Sequence, residues 1–253
     1  MRFAMFKKWL LALCVGGLAL NACAAPDGAA NAPEAVVRKA VLSLVPNADI
    51  DSVRPAPMAG FYQVIASGHL VYVSSDGKYM LNGDLIDLGR KKNITENGWA
   101  DFRKAELAKV PAADRIVFAP ANPRYRVTVF TDVNCAYCRQ LHSHIADFNK
   151  AGIAVEYIAW PREGVTNEAG KTTQTYNEMV SVWCASDRKA AFTAAKQGKT
   201  PKSTNCPNPV KDEFDLGVKL GVTGTPTIIG EDGSMLGGYV TPDQLLQALK
   251  TGG

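Results

Sequence analysis

Thr131-Asp132-Val133-Asn134-Cys135-Ala136-Tyr137-Cys138-Arg139-Gln140-Leu141-His142 is the stretch that decides the fold of this 253-residue chain. Ahead of it, residues 126–130 (Arg-Val-Thr-Val-Phe) alternate in the β-branched, aromatic manner of a buried strand. Behind it, Cys138, Leu141, Ile145 and Phe148 recur at three- and four-residue steps, which predicts an amphipathic helix over 135–150. The Cys-x-x-Cys pair therefore falls where a strand hands over to a helix. At a helix N-terminus the first backbone N–H groups lack partners and the macrodipole presents its positive end. A thiolate on Cys135 gains from both, and the thiolate is the form that attacks disulfides. Two intervening residues let the second sulfur reach back to the first. The expectation is a dithiol redox centre with an accessible Cys135 as nucleophile and Cys138 as its partner.

Composition allows this and excludes little else. At 47% hydrophobic and 21% charged residues the chain is ordinary globular material. Residues 1–24 differ: a basic leader with Arg2, Lys7 and Lys8, an apolar run from Trp9 to Leu20, and small residues before Ala25. That run is short for a bilayer span, so a removed secretory signal is expected, with acylation at Cys23 of a lipoprotein signal as the competing version. Without those three cations the 28 basic residues become 25, against 24 acidic ones, and a nucleic-acid partner loses its electrostatic support. Four cysteines remain beyond the leader: Cys135, Cys138, Cys184 and Cys206. An even number in an exported chain favours disulfides over metal. His142 lies four residues past Cys138, but Cys184 and Cys206 lack paired-ligand spacing, so no metal and no cofactor is expected. Cys184 and Cys206 enclose a Lys-rich loop and read as a structural disulfide worth roughly 3 kcal/mol by loop entropy. A second redox-active pair is the alternative. His142 and His144 are expected at the surface, with His142 near enough to tune the thiolate.

From the N-terminus, residues 25–32 read as a tail, and Pro33 opens a helix that Pro46 ends. Short β runs follow at 61–65, 70–73, 79–81 and 85–86, with turn dipeptides Asp76-Gly77 and Asn82-Gly83 between them. This small helix-plus-antiparallel-sheet unit has few large core residues. Pairing its open edge with a second copy is expected, with packing against its own second domain as the alternative. Residues 96–110 predict a largely solvated connecting helix ahead of Pro111. The organisation expected is a signal at 1–24, an N-terminal dimerisation domain at 25–95, a linker helix at 96–112 and a catalytic domain at 113–253. In the last, strand, Cys-x-x-Cys helix, strand (154–160) and a helical insertion (about 173–198) precede two strands after Pro226. A final helix at 242–250 carries Thr241 and Gln244 at capping-box spacing.

That βαβ, insertion, ββα order, with Cys135-Ala136-Tyr137-Cys138 and Gly224-Thr225-Pro226, resembles the thioredoxin fold. The segments 130–135, 221–226 and 54–60 (Arg-Pro-Ala-Pro-Met-Ala-Gly) are similar to the periplasmic disulfide isomerases of the DsbC/DsbG family. The resemblance implies an α+β/α/β fold, with a thioredoxin-like catalytic domain beside a small N-terminal α+β domain. It implies that Pro226 is cis, and that Thr225 and Pro226 face the dithiol and present backbone groups to a client. It implies a periplasmic homodimer that rearranges or reduces wrong disulfides in misoxidised or unfolded exported proteins, some chaperone activity, and a membrane thiol reductase of the DsbD type as electron donor. A dithiol oxidase, a narrower reductase, or a chaperone with secondary redox activity are the alternatives. Two departures stand out: Ala136 where Gly is usual, and Val129 where thioredoxins carry a buried carboxylate, so no proton shuttle is assigned.

Overall fold

The computed structural model describes residues 32–251, so the leader, Cys23 and nearly all of the tail lie outside the described residues. Helix α1 (Ala32–Leu44) is followed by an antiparallel meander of β1 (Ile50–Pro55), β2 (Phe61–Ala66), β3 (His69–Ser74) and β4 (Met80–Leu81). Ser67 and Gly68 join β2 to β3 as a two-residue turn, both at positive φ (48° and 75°), the geometry that suits the right-handed twist of a hairpin. Side-chain alternation gives the sheet two faces. Val64, Ala66, Val71 and Val73 pack with Val37 and Val41 of α1. Ile65, Leu70 and Tyr72 point the other way, into a cluster shared with Phe102, Phe130, Trp160 and Leu220. The sheet thus packs against its own second domain, and that shared core answers the shortage of large residues. Among the described residues its β4 edge has no partner strand. β1 escapes a pattern reading because Asp51, Arg54 and Pro55 interrupt its alternation, as suits an edge strand.

A small ribbon, β5 (Ile86–Asp87) with β6 (Lys92–Asn93), leads into α2 (Ile94–Leu107). Asn93 caps α2 by accepting from the Glu96 N–H at 3.0 Å. The expectation of a solvated connector is corrected here. α2 buries Thr95, Phe102, Arg103 and Leu107. Arg103 looks like a surface residue in sequence but is 4% exposed, bonded to Glu96 at 2.7 Å and to the Leu220 carbonyl at 3.2 Å. Lys219 adds ion pairs to Asp51 (3.0 Å) and Glu106 (3.2 Å), tying the N-terminal sheet, α2 and the next domain together.

The second sheet has the order β11-β10-β8-β9-β7, from β7 (Ile116–Phe118), β8 (Tyr125–Thr131), β9 (Ile153–Ala159), β10 (Thr227–Gly230) and β11 (Met235–Gly237). Only β8 and β9 run parallel, and the chain between them forms α3 (Ala136–Ser143) and α4 (Ile145–Lys150). The single helix expected over 135–150 is broken at His144, next to Ser143, whose hydroxyl bonds back to the Gln140 carbonyl at 2.7 Å. Helices α5 (Gln174–Trp183), α6 (Arg188–Lys196) and α7 (Val210–Lys219) form the insertion. Cys184 and Cys206 are bonded to each other, and Cys184 caps the end of α5. α7 was not legible, because Gly217 and its charges mask it. That glycine is needed where the Trp160 ring presses on the helix. α8 (Pro242–Thr251) starts with the capping box its sequence announces: Gln244 Oε1 accepts from the Thr241 N–H at 2.9 Å, and Thr241 Oγ1 from the Gln244 N–H at 3.3 Å.

The β10–β11 turn carries Gly233 at φ +87°, with its Cα pressed on the backbone of α2 so that a Cβ would overlap the Ala100 carbonyl. Gly170, at φ +71°, has open space around it. Gly233→Ala should therefore cost about 3 kcal/mol or more of stability in denaturant unfolding, and Gly170→Ala about 1 kcal/mol, the backbone cost alone. Equal losses would mean that the turn does not bear on α2.

Candidate active site

β8 runs into the interior and stops at Thr131, and the chain turns through Asp132 to start α3. Asp132 is buried, its carboxylate accepting from the Asn134 N–H (2.6 Å), the Arg162 N–H (2.9 Å) and Arg162 Nε (3.2 Å). These bonds fix the turn. Cys135 is then the N-cap residue of α3, and its Sγ accepts from the Cys138 N–H at 3.4 Å. Sulfur takes the place that a Ser or Asp oxygen fills in an ordinary cap. Thr225–Pro226 is a cis peptide bond, and the Thr225 carbonyl lies 3.1 Å from Cys135 Sγ, accepting from the thiol. Cys135, Cys138, Thr225 and Pro226 are therefore brought together, while Cys184 and Cys206 stand apart as a closed bridge.

Cys135 exposes only 2% of its surface, less than the open sulfur expected. Its cover is thin: Asn134, Ala136 and Tyr137 around it are exposed, and the Thr225 segment closes the remaining side. Tyr137 stacks on Tyr239 at 6.3 Å between ring centres, giving the rim an apolar step.

The two free thiols are driven apart in acidity. A hydrogen bond from the Cys138 thiol holds the Cys135 value well below the usual thiol range. Burial opposes this, and the Cys138 N–H and the Arg162 guanidinium add to the lowering. The Thr225 hydroxyl, buried and with no hydrogen-bond partner among the described residues, pulls in the same direction and more strongly than either of these. Cys138 is pushed far up, by burial first and then by its bond to Cys135. Of the two sulfurs, the outer one is favoured as the thiolate.

His142 corrects the sequence reading. It shares the inward face of α3 with Cys138 and Leu141 and is buried among Phe118, Tyr157 and Phe192. Nδ1 lies 3.1 Å from the Tyr157 hydroxyl and Nε2 3.0 Å from Thr193 Oγ1. Burial, helped by the Lys196 charge, pushes its pKa down to about 4, so it is a neutral core residue. His144 is half-buried at the surface, where it was expected, beside Asp147 at 3.2 Å. Val129 is buried in the position without a carboxylate. Sequence reasoning missed the charged groups that do surround the dithiol: Asp132, Arg162 and Lys196. Lys196 carries a signal in retrospect, since it follows Phe192 by four residues on the one apolar face of α6.

A dithiol at a strand–helix junction, closed over by a cis-proline segment on a sheet of this order, defines a thiol–disulfide oxidoreductase of the thioredoxin fold. Comparison with known proteins narrows the class. A Thioredoxin-like domain model matches residues 112–253, and a Disulfide bond isomerase protein N-terminal domain model matches 28–96. Thiol:disulfide interchange protein DsbC of Escherichia coli K12 is 32% identical over 237 residues, 92% of this chain and 94% of that protein. The DsbC of Haemophilus influenzae is 36% identical over 201 residues, covering 78% of this chain and 82% of its own. A crystal structure of a disulfide interchange protein from Neisseria gonorrhoeae is 26% identical, covers 56% of this chain and 97% of that one, and has a TM-score of 0.47. The chain belongs to the DsbC family and is a thiol–disulfide isomerase. Among the described residues, no helix is long and apolar enough to cross a membrane.

The depressed Cys135 value sets a pH profile. Reactivity is retained above the folded-state value and lost only as pH falls through it. An ordinary thiol near pKa 8.5 loses about 80-fold in thiolate between pH 8 and pH 6. Alkylation of the reduced protein by iodoacetamide should instead slow less than about threefold over that range. An 80-fold decline would mean that Cys135 is an ordinary thiol.

Proposed function

We propose that Cys135 attacks a non-native disulfide of an exported protein, and that Cys138 or a client thiol then resolves the mixed disulfide. The observation that carries this is the placement of the pair: Cys135 Sγ caps α3 just beneath the surface, beside the cis Thr225–Pro226 segment, with Cys138 sealed behind it. In the first step the Cys135 thiolate forms a bond to one client sulfur, and the other client sulfur leaves as a thiolate. Attack by a different client thiol on the client sulfur frees Cys135 and rearranges the client. Attack by Cys138 on Cys135 Sγ releases the client reduced and leaves Cys135–Cys138 oxidised. The oxidised pair then needs an electron donor, and a membrane thiol reductase of the DsbD type fills that role. On deprotonation Cys135 can no longer donate to the Thr225 carbonyl, which loosens the cover over the sulfur and leaves the Thr225–Pro226 backbone to hold the client strand. Cys184–Cys206 is structural and takes no part.

The same reading makes residues 25–95 a dimerisation domain, 96–112 a linker and 113–253 the catalytic domain, with 1–24 a signal to the periplasm. The open β4 edge supports the dimer. Tyr79, Met80, Leu81 and Leu88 are all exposed, Leu88 at 84%, an unusual density of apolar surface beside unpaired strand backbone. Two copies joined there would leave apolar surface around a cleft, the basis of chaperone activity.

Cys135→Ser should lower rescue of a scrambled-disulfide protein at least about a hundredfold. Cys138→Ser should keep part of the isomerisation and accumulate mixed disulfides. Full activity of the Cys135 variant would end the enzymatic reading of this site. For the assembly, sedimentation of the unsubstituted protein should give a dimer, and Met80→Lys with Leu88→Lys a folded monomer. A dimer that survives the double substitution lies elsewhere.

A further inference from the structure

Lys196 is a buried ionisable group that the chemistry above leaves unused. It ends α6 with 4% of its surface exposed. Its Nζ donates to Thr131 Oγ1 at 2.6 Å and to the Asp132 carbonyl at 2.8 Å, the two residues that connect β8 to the dithiol. The Asp132 N–H and the Thr131 hydroxyl both lie beside the Cys138 sulfur and favour its thiolate. A thiol, a hydroxyl and an amine therefore stand in a row behind the active site, shut off from solvent. Buried lysines without a salt-bridge partner are expensive, and a Met would fill this place more cheaply.

We propose that Lys196, acting through the Thr131 hydroxyl, accepts the Cys138 proton when Cys138 resolves the mixed disulfide. This rests on the roles of Cys135 and Cys138 proposed above. In the resolving step the Cys138 S–H bond breaks and its proton passes to Thr131 Oγ1, whose own hydroxyl proton passes to the neutral Nζ, giving an ammonium. The Cys138 thiolate bonds to Cys135 Sγ, the bond from Cys135 to the client sulfur breaks, and the client leaves with the electron pair. The dithiol is oxidised and the client disulfide reduced, with no other reagent.

The electrostatics favour this timing. Burial pushes the Lys196 pKa down to about 8, against the pull of Cys138, Asp132 and Cys135, and Arg139 pushes it further down. The other groups facing it are the Phe192 ring, 4.9 Å away, and neutral His142. In the mixed disulfide Cys135 carries no charge, so one of the anions sustaining the ammonium is gone. The free amine becomes available at the step that needs a base.

Reduced protein mixed with dithiobis(nitrobenzoate) releases one nitrothiolate in a second-order phase as Cys135 reacts. It releases the second in a first-order phase as Cys138 resolves, and stopped-flow absorbance separates the two. In the unsubstituted protein the resolving rate should rise with pH to a plateau. In Lys196→Met and in Thr131→Val it should fall at least about tenfold at pH 7 and climb with pH without a plateau, because Cys138 alone then titrates. The first phase reports that each variant is folded, and should one fail to fold the other decides. Lys196→Arg keeps the charge but cannot surrender a proton, so it should not restore the plateau. An unchanged resolving profile in a folded Lys196→Met or Thr131→Val overturns the proposal, as does a plateau regained with Arg. Absence of the first phase from the unsubstituted protein would instead sink the underlying reading of Cys135.

Discussion

A sulfur atom caps a helix, and the rest of the molecule is arranged around that substitution. An N-cap oxygen satisfies a backbone N–H and stays chemically quiet. Sγ of Cys135 accepts from the Cys138 N–H at 3.4 Å and is chemically alive, because the same donors that satisfy it also favour its anion. For the bond to form, β8 must deliver the chain to one point and Asp132 must hold the turn, which it does with three hydrogen bonds from Asn134 and Arg162. A buried carboxylate with that many donors is a hinge pin, and its own charge is balanced by Arg162, which also lowers the Cys135 value.

The two cysteines differ because their surroundings differ. Cys135 sits under exposed residues and Cys138 is sealed inside, so burial raises the second far more than the first. The cation best placed to offset this is Lys196. Glu213 is a second deep ionisable group, its carboxyl pushed up to about 8 by burial and accepting from the Ala159 N–H at 2.6 Å. With that value most of it is protonated at neutral pH, so it secures the end of β9 without placing a full charge in the core.

What could be read in the sequence was local. The strand–helix junction shows in the alternation of residues 126–130 and the spacing after Cys138; α8 shows in its capping box; the turn between β3 and β4 shows in Asp76-Gly77. Features that depend on a distant partner did not show. α2 looks polar because Arg103 is charged, yet the Leu220 carbonyl and Glu96 admit it to the interior. His142 looks like a surface group until Tyr157 and Thr193 satisfy both ring nitrogens. Lys196 belongs to the same class: long-range hydrogen bonds, invisible to periodicity, overrule residue polarity. At the dithiol the residue types and their spacing were legible, whereas the near-closure of Cys135 was not, since it comes from Thr225, ninety positions along.

The contacts between the N-terminal sheet, α2 and the catalytic domain are made partly of peptide groups with nothing between them. Gly68 lies against the Val218 carbonyl, where a Cβ would come within 2.5 Å, and Gly233 lies against α2. Side chains can swivel and re-pack, but backbone set directly on backbone has no slack to take up. At these two glycines the outer sheet and the β10–β11 turn thus meet their neighbours through main chain alone, and any side chain there would have to push the layers apart.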